Sequence, residues 1–170
     1  DGFTPDGQLW GNPIYNWNGM NKDGFSWWIR RIGYAMELYD ILRLDHFIGF
    51  VNYYAVPYPS ETARGGVWKK APGKALFTKL KKALPNVKII AEDLGIVTDE
   101  VRKLLSYTGF PGMKMLHFAF YEDDSENLPR MYNSDNWVVY TASHDSDCTA
   151  TWAREQNEET LNRLKKECPV

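Results

Sequence analysis

The stretch LRLDHF, residues 42–47, sets Arg43 and Asp45 two positions apart in an otherwise apolar run. Successive side chains on a strand alternate faces, so the two charges share one face while Leu42, Leu44 and His46 take the other. A carboxylate inside an apolar strand needs a cation or several hydrogen bonds, and arginine keeps its charge at ordinary pH. Asp45 is therefore expected to stay ionised in a buried strand, either as a nucleophile or as half of a structural ion pair. The stretch alone does not choose between them.

Two other runs end in the same way. VKII turns acidic at Glu92 in AEDLG, and WVVY leads to His144 and Asp145 in TASHDSD. Ionisable groups at the C-terminal ends of several strands are where barrel enzymes place their chemistry, whereas structural carboxylates scatter over helix surfaces and both sheet ends. HxH and DxDxD patterns are absent, so no metal and no cofactor is expected; HDSD at 144–147 is the nearest approach to a metal motif. The remaining use of paired carboxylates is glycosyl transfer, in which one faces the anomeric carbon and a protonated one supplies the leaving oxygen. Asp45 beside Arg43 suits the first role. Glu92, preceded by Ile89, Ile90 and Ala91, is expected to ionise with more difficulty and suits the second. Asp145 is left to grip sugar hydroxyls beside His144, and Asp93, on the opposite strand face from Glu92, is read as supporting or structural.

The elements that must hold these groups follow from periodicity. Apolar positions 25, 28, 29, 32, 36 and 39 predict a helix over 25–39, after an extended loop over 1–24. A short strand at 42–47 and an irregular stretch to about 72 come next. Leu76, Phe77, Leu80 and Leu84 mark a helix stopped by Pro85, and Thr98 caps another whose buried side is Val101, Leu104 and Leu105. MKMLHFAF and WVVYTASHDSD read as strands, and Asn157 opens a last helix. Helices alternating with strands imply an α/β fold with a parallel sheet. No Gly-rich phosphate loop follows a strand, which leaves a dinucleotide fold without support.

Composition narrows the partners. The 170 residues carry a net charge of −2 and no basic tract, which argues against nucleic acid and anionic membranes, and no apolar run is long enough to span a bilayer. Two cysteines are too few for a disulfide framework and point to a reducing, cytoplasmic location. Aromatic residues make up 15%, many of them in polar stretches such as GQLWGNPIYNWNG. Flat rings beside amides suit the faces of pyranose rings, but Trp10, Tyr15 and Trp17 could equally pin a long loop to the body.

LRLDHFIGF, IIAEDLG and TASHDSD, in this order and preceded by DGFTPDGQLWGNPIYNW, resemble amylomaltase, the 4-α-glucanotransferase or disproportionating-enzyme family of the α-amylase clan. The resemblance runs through essentially the whole chain. It implies a TIM-type (β/α)8 barrel that transfers α-1,4-glucan segments between malto-oligosaccharides with retention. On the family's motifs Asp45 matches the nucleophile, Glu92 the acid/base and Asp145 the third carboxylate, with Arg43 and His144 flanking them. Phe3, Gln8 and Trp10 match a mobile loop over the acceptor sites, and His46 is taken with them as substrate-binding. The family's last motif has Asn where Ser146 stands and Thr where Cys148 stands. A whole barrel takes about 250 residues, so residues 1–170 are expected to be part of one catalytic barrel domain. About four strands, the fourth to seventh, would be present, and activity would require the remainder of the same barrel. A hydrolase of the same clan and a non-catalytic carbohydrate-binding module are the alternatives.

Overall fold

A computed structural model describes residues 4–121, 125–132 and 134–168. The chain forms two compact units, Asp1–Gly109 and Phe110–Val170.

In the first unit, the predicted opening loop contains a short helix, α1 (Trp17–Lys22), whose N-cap Asn16 accepts from the Gly19 N–H at 3.0 Å. Asparagine followed by a turn that can use its side chain is the signal for this helix, obscured by the Asn/Gly-rich context. Helix α2 (Ser26–Leu38) starts one residue later than its periodicity suggested, because Phe25 adopts the left-handed conformation (φ 61°) and is fully buried. The Asp23 carboxylate caps it through the Ser26 N–H and hydroxyl. Strand β1 (Leu42–Leu44) pairs in parallel with β4 (Ile89–Ala91), in the register Leu42↔Ile89, Arg43↔Ile90, Leu44↔Ala91. Helix α3 (Gly73–Ala83) buries Leu76, Phe77 and Leu80 completely and stops before Pro85. Helix α4 (Asp99–Thr108) is capped by Thr98, which accepts from Val101 N–H at 3.4 Å.

The stretch to residue 72, read as irregular, holds an antiparallel hairpin, β2 (Asn52–Ala55) with β3 (Val67–Lys70). It escaped notice because all four residues of β3 are exposed, which removes the polar/apolar alternation that announces a strand. The core of this unit is aromatic: Phe47 stacks on Phe77 at 5.5 Å, and Phe50 packs against Phe77, Trp28 and Trp17. Gly73 sits where α3 meets the 47–50 turn; an added Cβ there would lie 2.3 Å from the Phe50 carbonyl oxygen.

In the second unit, β5 (Gly112–Met115) and β6 (Trp137–Tyr140) are again parallel, with Gly112↔Trp137 through Met115↔Tyr140. The strand read over MKMLHFAF stops at Met115, and Leu116–Phe120 forms a 3₁₀ turn. Ala119 and Phe120 are both buried, and strand alternation cannot turn two consecutive side chains to one face. The strand read into TASHDSD likewise ends at Tyr140. Two helices follow: α5 (Thr149–Glu155), which the sequence reading missed, and α6 (Glu158–Glu167), capped by Asn157 accepting from Thr160 N–H at 2.8 Å. Ala119, Phe120, Leu128 and Trp152 form the core, with Leu116, Ala153 and Leu164 packed around it.

Candidate active site

The parallel pair β1/β4 does the positioning. Asp45 and Glu92 are the residues that directly follow the last paired positions, Leu44 and Ala91, so the two carboxylates leave neighbouring strands at the same level. The crossing is tight: Glu92 N–H donates to the Leu44 carbonyl at 2.9 Å, and Phe47 N–H donates to the Glu92 carbonyl at 2.7 Å. The Glu92 side chain then reaches back. Its Oε2 accepts the His46 N–H at 2.6 Å and its Oε1 accepts the Leu94 N–H at 2.9 Å. Each oxygen keeps a lone pair that can face a ligand. The sequence reading had given Glu92 apolar neighbours alone; these two backbone donors are the feature it missed.

Arg43 does pair with Asp45 on one face, as strand alternation requires. Burial is the correction. The Asp45 side chain is 75% exposed and that of Arg43 30%, because β1 is only three residues long and Asp45 lies just past its end. His46 also departs from the strand pattern. Its φ of 47° is left-handed, so it starts a 3₁₀ turn (Phe47–Phe50) and does not continue the alternation. Asp93 is buried.

In the second unit His144 and Asp145 lie in a turn beyond β6, closed by Ser146 N–H donating to the Ser143 carbonyl at 3.2 Å. The Ser143 N–H donates to the Ser146 hydroxyl at 3.1 Å, and Asp145 N–H to the Ser143 hydroxyl at 3.2 Å. His144 Nε2 stands 3.3 Å from Asp145 Oδ1, both side chains exposed. Under this unit lies a group no sequence argument singled out: His117, 2% exposed, its ring stacked on Trp152 at 4.4 Å and 9°. Burial pushes its imidazole below the ordinary range, and Asp147 opposes this weakly.

Phe3 lies outside the described residues. Gln8 accepts from Trp10 Nε1 at 2.8 Å, and the Trp10 ring is 76% exposed. Trp17, by contrast, is buried, and Tyr15 packs on Trp17, Trp27 and Trp28 at 5.2–5.7 Å. Tyr15 and Trp17 thus pin the chain, whereas Trp10 leaves most of its surface open to solvent. The loop is fixed farther up by an Asp6–Arg64 ion pair at 2.6 Å and by Ala63 N–H donating to the Asp6 carbonyl at 3.0 Å. Among the described residues no group of three or more His, Cys, Asp or Glu side chains is placed to hold a metal ion.

Parallel strands that end side by side in an aspartate and a glutamate define an α/β scaffold of the carboxylate-bearing kind. The chain belongs to the 4-alpha-glucanotransferase family, whose model matches residues 1–168. It is 50% identical over 164 residues to the 4-alpha-glucanotransferase of Aquifex aeolicus, covering 96% of this chain and 34% of that protein. It is 47% identical over 157 residues to that of Thermus thermophilus, covering 91% and 31%. Among solved structures, amylomaltase from Streptococcus agalactiae in complex with acarbose superposes with a TM-score of 0.90 at 40% identity, over 98% of this chain and 34% of that one. The chain spans about a third of the length of these relatives.

Proposed function

We propose that this chain is the part of a TIM-type (β/α)8 barrel that carries the catalytic carboxylates of a 4-α-glucanotransferase, acting on malto-oligosaccharides and other α-1,4-glucans by retaining double displacement. The observation that carries the reading is the β1/β4 register, which delivers Asp45 and Glu92 from adjacent strands. Neighbouring strands lie about 4.8 Å apart, and retaining enzymes hold their two carboxyl groups about 5–5.5 Å apart, against 6.5–9.5 Å for inverting ones. Adjacent strand ends therefore suit retention. The acarbose complex of the Streptococcus agalactiae amylomaltase supports an α-glucan ligand, and the two free cysteines, Cys148 and Cys168, support a cytoplasmic location.

Asp45, oriented by Arg43, attacks the anomeric carbon while Glu92 gives its proton to the departing 4-oxygen, leaving a glycosyl ester on Asp45. Glu92, now the carboxylate, takes the proton from the 4-hydroxyl of an acceptor glucan. That oxygen displaces Asp45 and restores the starting configuration. The family resemblance assigns sugar hydroxyls to Asp145 and His144. His46 lines the site next to Asp45, and Gln8 and Trp10, with Phe3, receive the acceptor. The remainder of the barrel supplies the opposing wall.

The test uses the whole protein that contains this chain. A fluorinated α-glucosyl donor that traps the ester, followed by peptide mapping, is expected to label Asp45; a label on any other residue overturns the assignment. Maltotriose should yield oligomers longer than itself. Products no longer than maltotriose would indicate the hydrolase instead.

A further inference from the structure

The hairpin β2/β3 presents a second chemistry on its face. Tyr54 and Trp68 are directly opposed, and by strand alternation the next opposed pair on the same face is Asn52 with Lys70. The two rings meet edge to face at 5.3 Å, and Trp68 is 70% exposed. Tyr54 is fixed from two sides. Its hydroxyl donates to the Ala63 carbonyl at 3.0 Å, and Gly66 lies so close beneath its ring that an added Cβ would fall 2.3 Å from Cε1. Trp68 therefore leans on an immobilised partner and keeps its outer face open.

One step along the same face, Glu100 from the first turn of α4 accepts from Lys70 Nζ at 3.0 Å and from Asn52 Nδ2 at 3.3 Å. Those two hydrogen bonds, the lysine's first, draw the Glu100 carboxyl below its usual range. A flat ring beside an amide, an ammonium and an anionic carboxylate is the combination a pyranose chain requires. The ring covers the C–H face of one sugar, and the polar groups take and give hydrogen bonds to hydroxyls. The site lies on the reactive side of the strands, because the hairpin is part of the connection leaving the C-terminal end of β1, and Glu100 follows the connection leaving that of β4. Ala63, which accepts from Tyr54, also donates to the Asp6 carbonyl in the loop bearing Gln8 and Trp10, and its neighbour Arg64 pairs with Asp6.

We infer that Trp68, with Asn52, Lys70 and Glu100, forms a remote binding site for a long α-glucan chain, engaging sugars beyond those next to the reacting bond. The inference rests on the glucan reading of the carboxylate site and names where longer substrates gain affinity.

The experiment compares maltotriose with maltoheptaose on the whole protein and its W68A, W68F and E100Q variants, using kcat and KM for transfer together with calorimetric titration of maltoheptaose. Loss of one aromatic–sugar contact is expected to weaken maltoheptaose roughly two- to tenfold in W68A, more than it weakens maltotriose, with kcat retained. W68F should recover most of the loss, and E100Q should show a smaller one. Tyr58→Ala, at a fully exposed residue of the same connection, serves as the control and should behave as wild type. Equal weakening of both sugars, unchanged maltoheptaose affinity in W68A and W68F, or a Trp68 that acrylamide cannot quench because other parts of the protein cover it, would each overturn the proposal. If the wild-type protein transfers no glucan, the catalytic reading fails on its own, and the titrations still decide whether Trp68 binds the sugar.

Discussion

Replacing Glu92 by glutamine separates its two jobs. The side chain accepts two backbone N–H groups, from His46 at 2.6 Å and from Leu94 at 2.9 Å, one on each oxygen. Glutamine has one carbonyl oxygen, so it can serve only one of these donors, and its amide group meets the other donor to donor. One bond is kept and the other is lost. For a half-buried group these effects add to about 1–2 kcal/mol, and Glu92→Ala, which abandons both donors, should cost somewhat more. The shift in thermal midpoint of the whole protein, followed by tryptophan fluorescence, reads this quantity. Catalysis reads the other job. Transfer from maltotriose needs a proton on the leaving oxygen and should fall roughly 10²–10⁴-fold in Glu92→Gln, whereas an aryl glycoside with a good leaving group should still glycosylate Asp45. If both donors slowed by one factor, Glu92 would not be the acid. If Glu92→Ala left the midpoint unmoved, the two hydrogen bonds would not be holding the strand ends together.

Gly73→Ala places a methyl group 2.3 Å from the Phe50 carbonyl oxygen and 2.9 Å from Leu104 Cδ2; it should lower stability by about 2–3 kcal/mol, and an unchanged denaturation midpoint would contradict the packing of α3 on the 47–50 turn. Burial holds the His117 imidazole below its ordinary 6.5, so the unfolded chain takes up the proton first, and stability, full above that pH, falls as the pH drops through 6.5 toward the folded value. His117→Leu should flatten that fall, measured as midpoint against pH. Chelator treatment is expected to leave transfer activity unchanged, and an activity restored only by added divalent cation would require a metal site that the proposed mechanism lacks.

Features with a single local cause were the ones the sequence disclosed. Pro85 ends α3 because proline disfavours helix in the residue before it, Thr98 caps α4, and Leu76, Phe77 and Leu80 are buried as their spacing demands. Asp45 and Glu92 were recognisable because apolar runs turned acidic at their ends. Burial was not: it depends on what stands opposite a side chain, and the three-residue β1 leaves Asp45 beyond its protected span. The 3₁₀ turn at Leu116–Phe120 and the helix α5 failed for a related reason, since runs of five to seven residues offer too few repeats for a period of two to be told from one of three or more.

The same shortness gives the site its order. A strand that continued past Leu44 would carry the residue after Asp45 onto the opposite face and leave Glu92 without a donor from β1's side. Instead the backbone turns left-handed at His46, φ 47°, and this turn aims the His46 N–H at the Glu92 carboxylate while Phe47 N–H takes the Glu92 carbonyl. Non-glycine residues seldom adopt this conformation and hold it only where the surroundings enforce it; here the enforcement comes from Phe47, fully buried against Phe77 and Phe50. The proposed acid is therefore held by main-chain donors anchored in an aromatic core, and the proposed nucleophile by Arg43. Two side chains with free rotamers would lack these supports, and preorganisation of this kind is what a double displacement through adjacent strand ends requires.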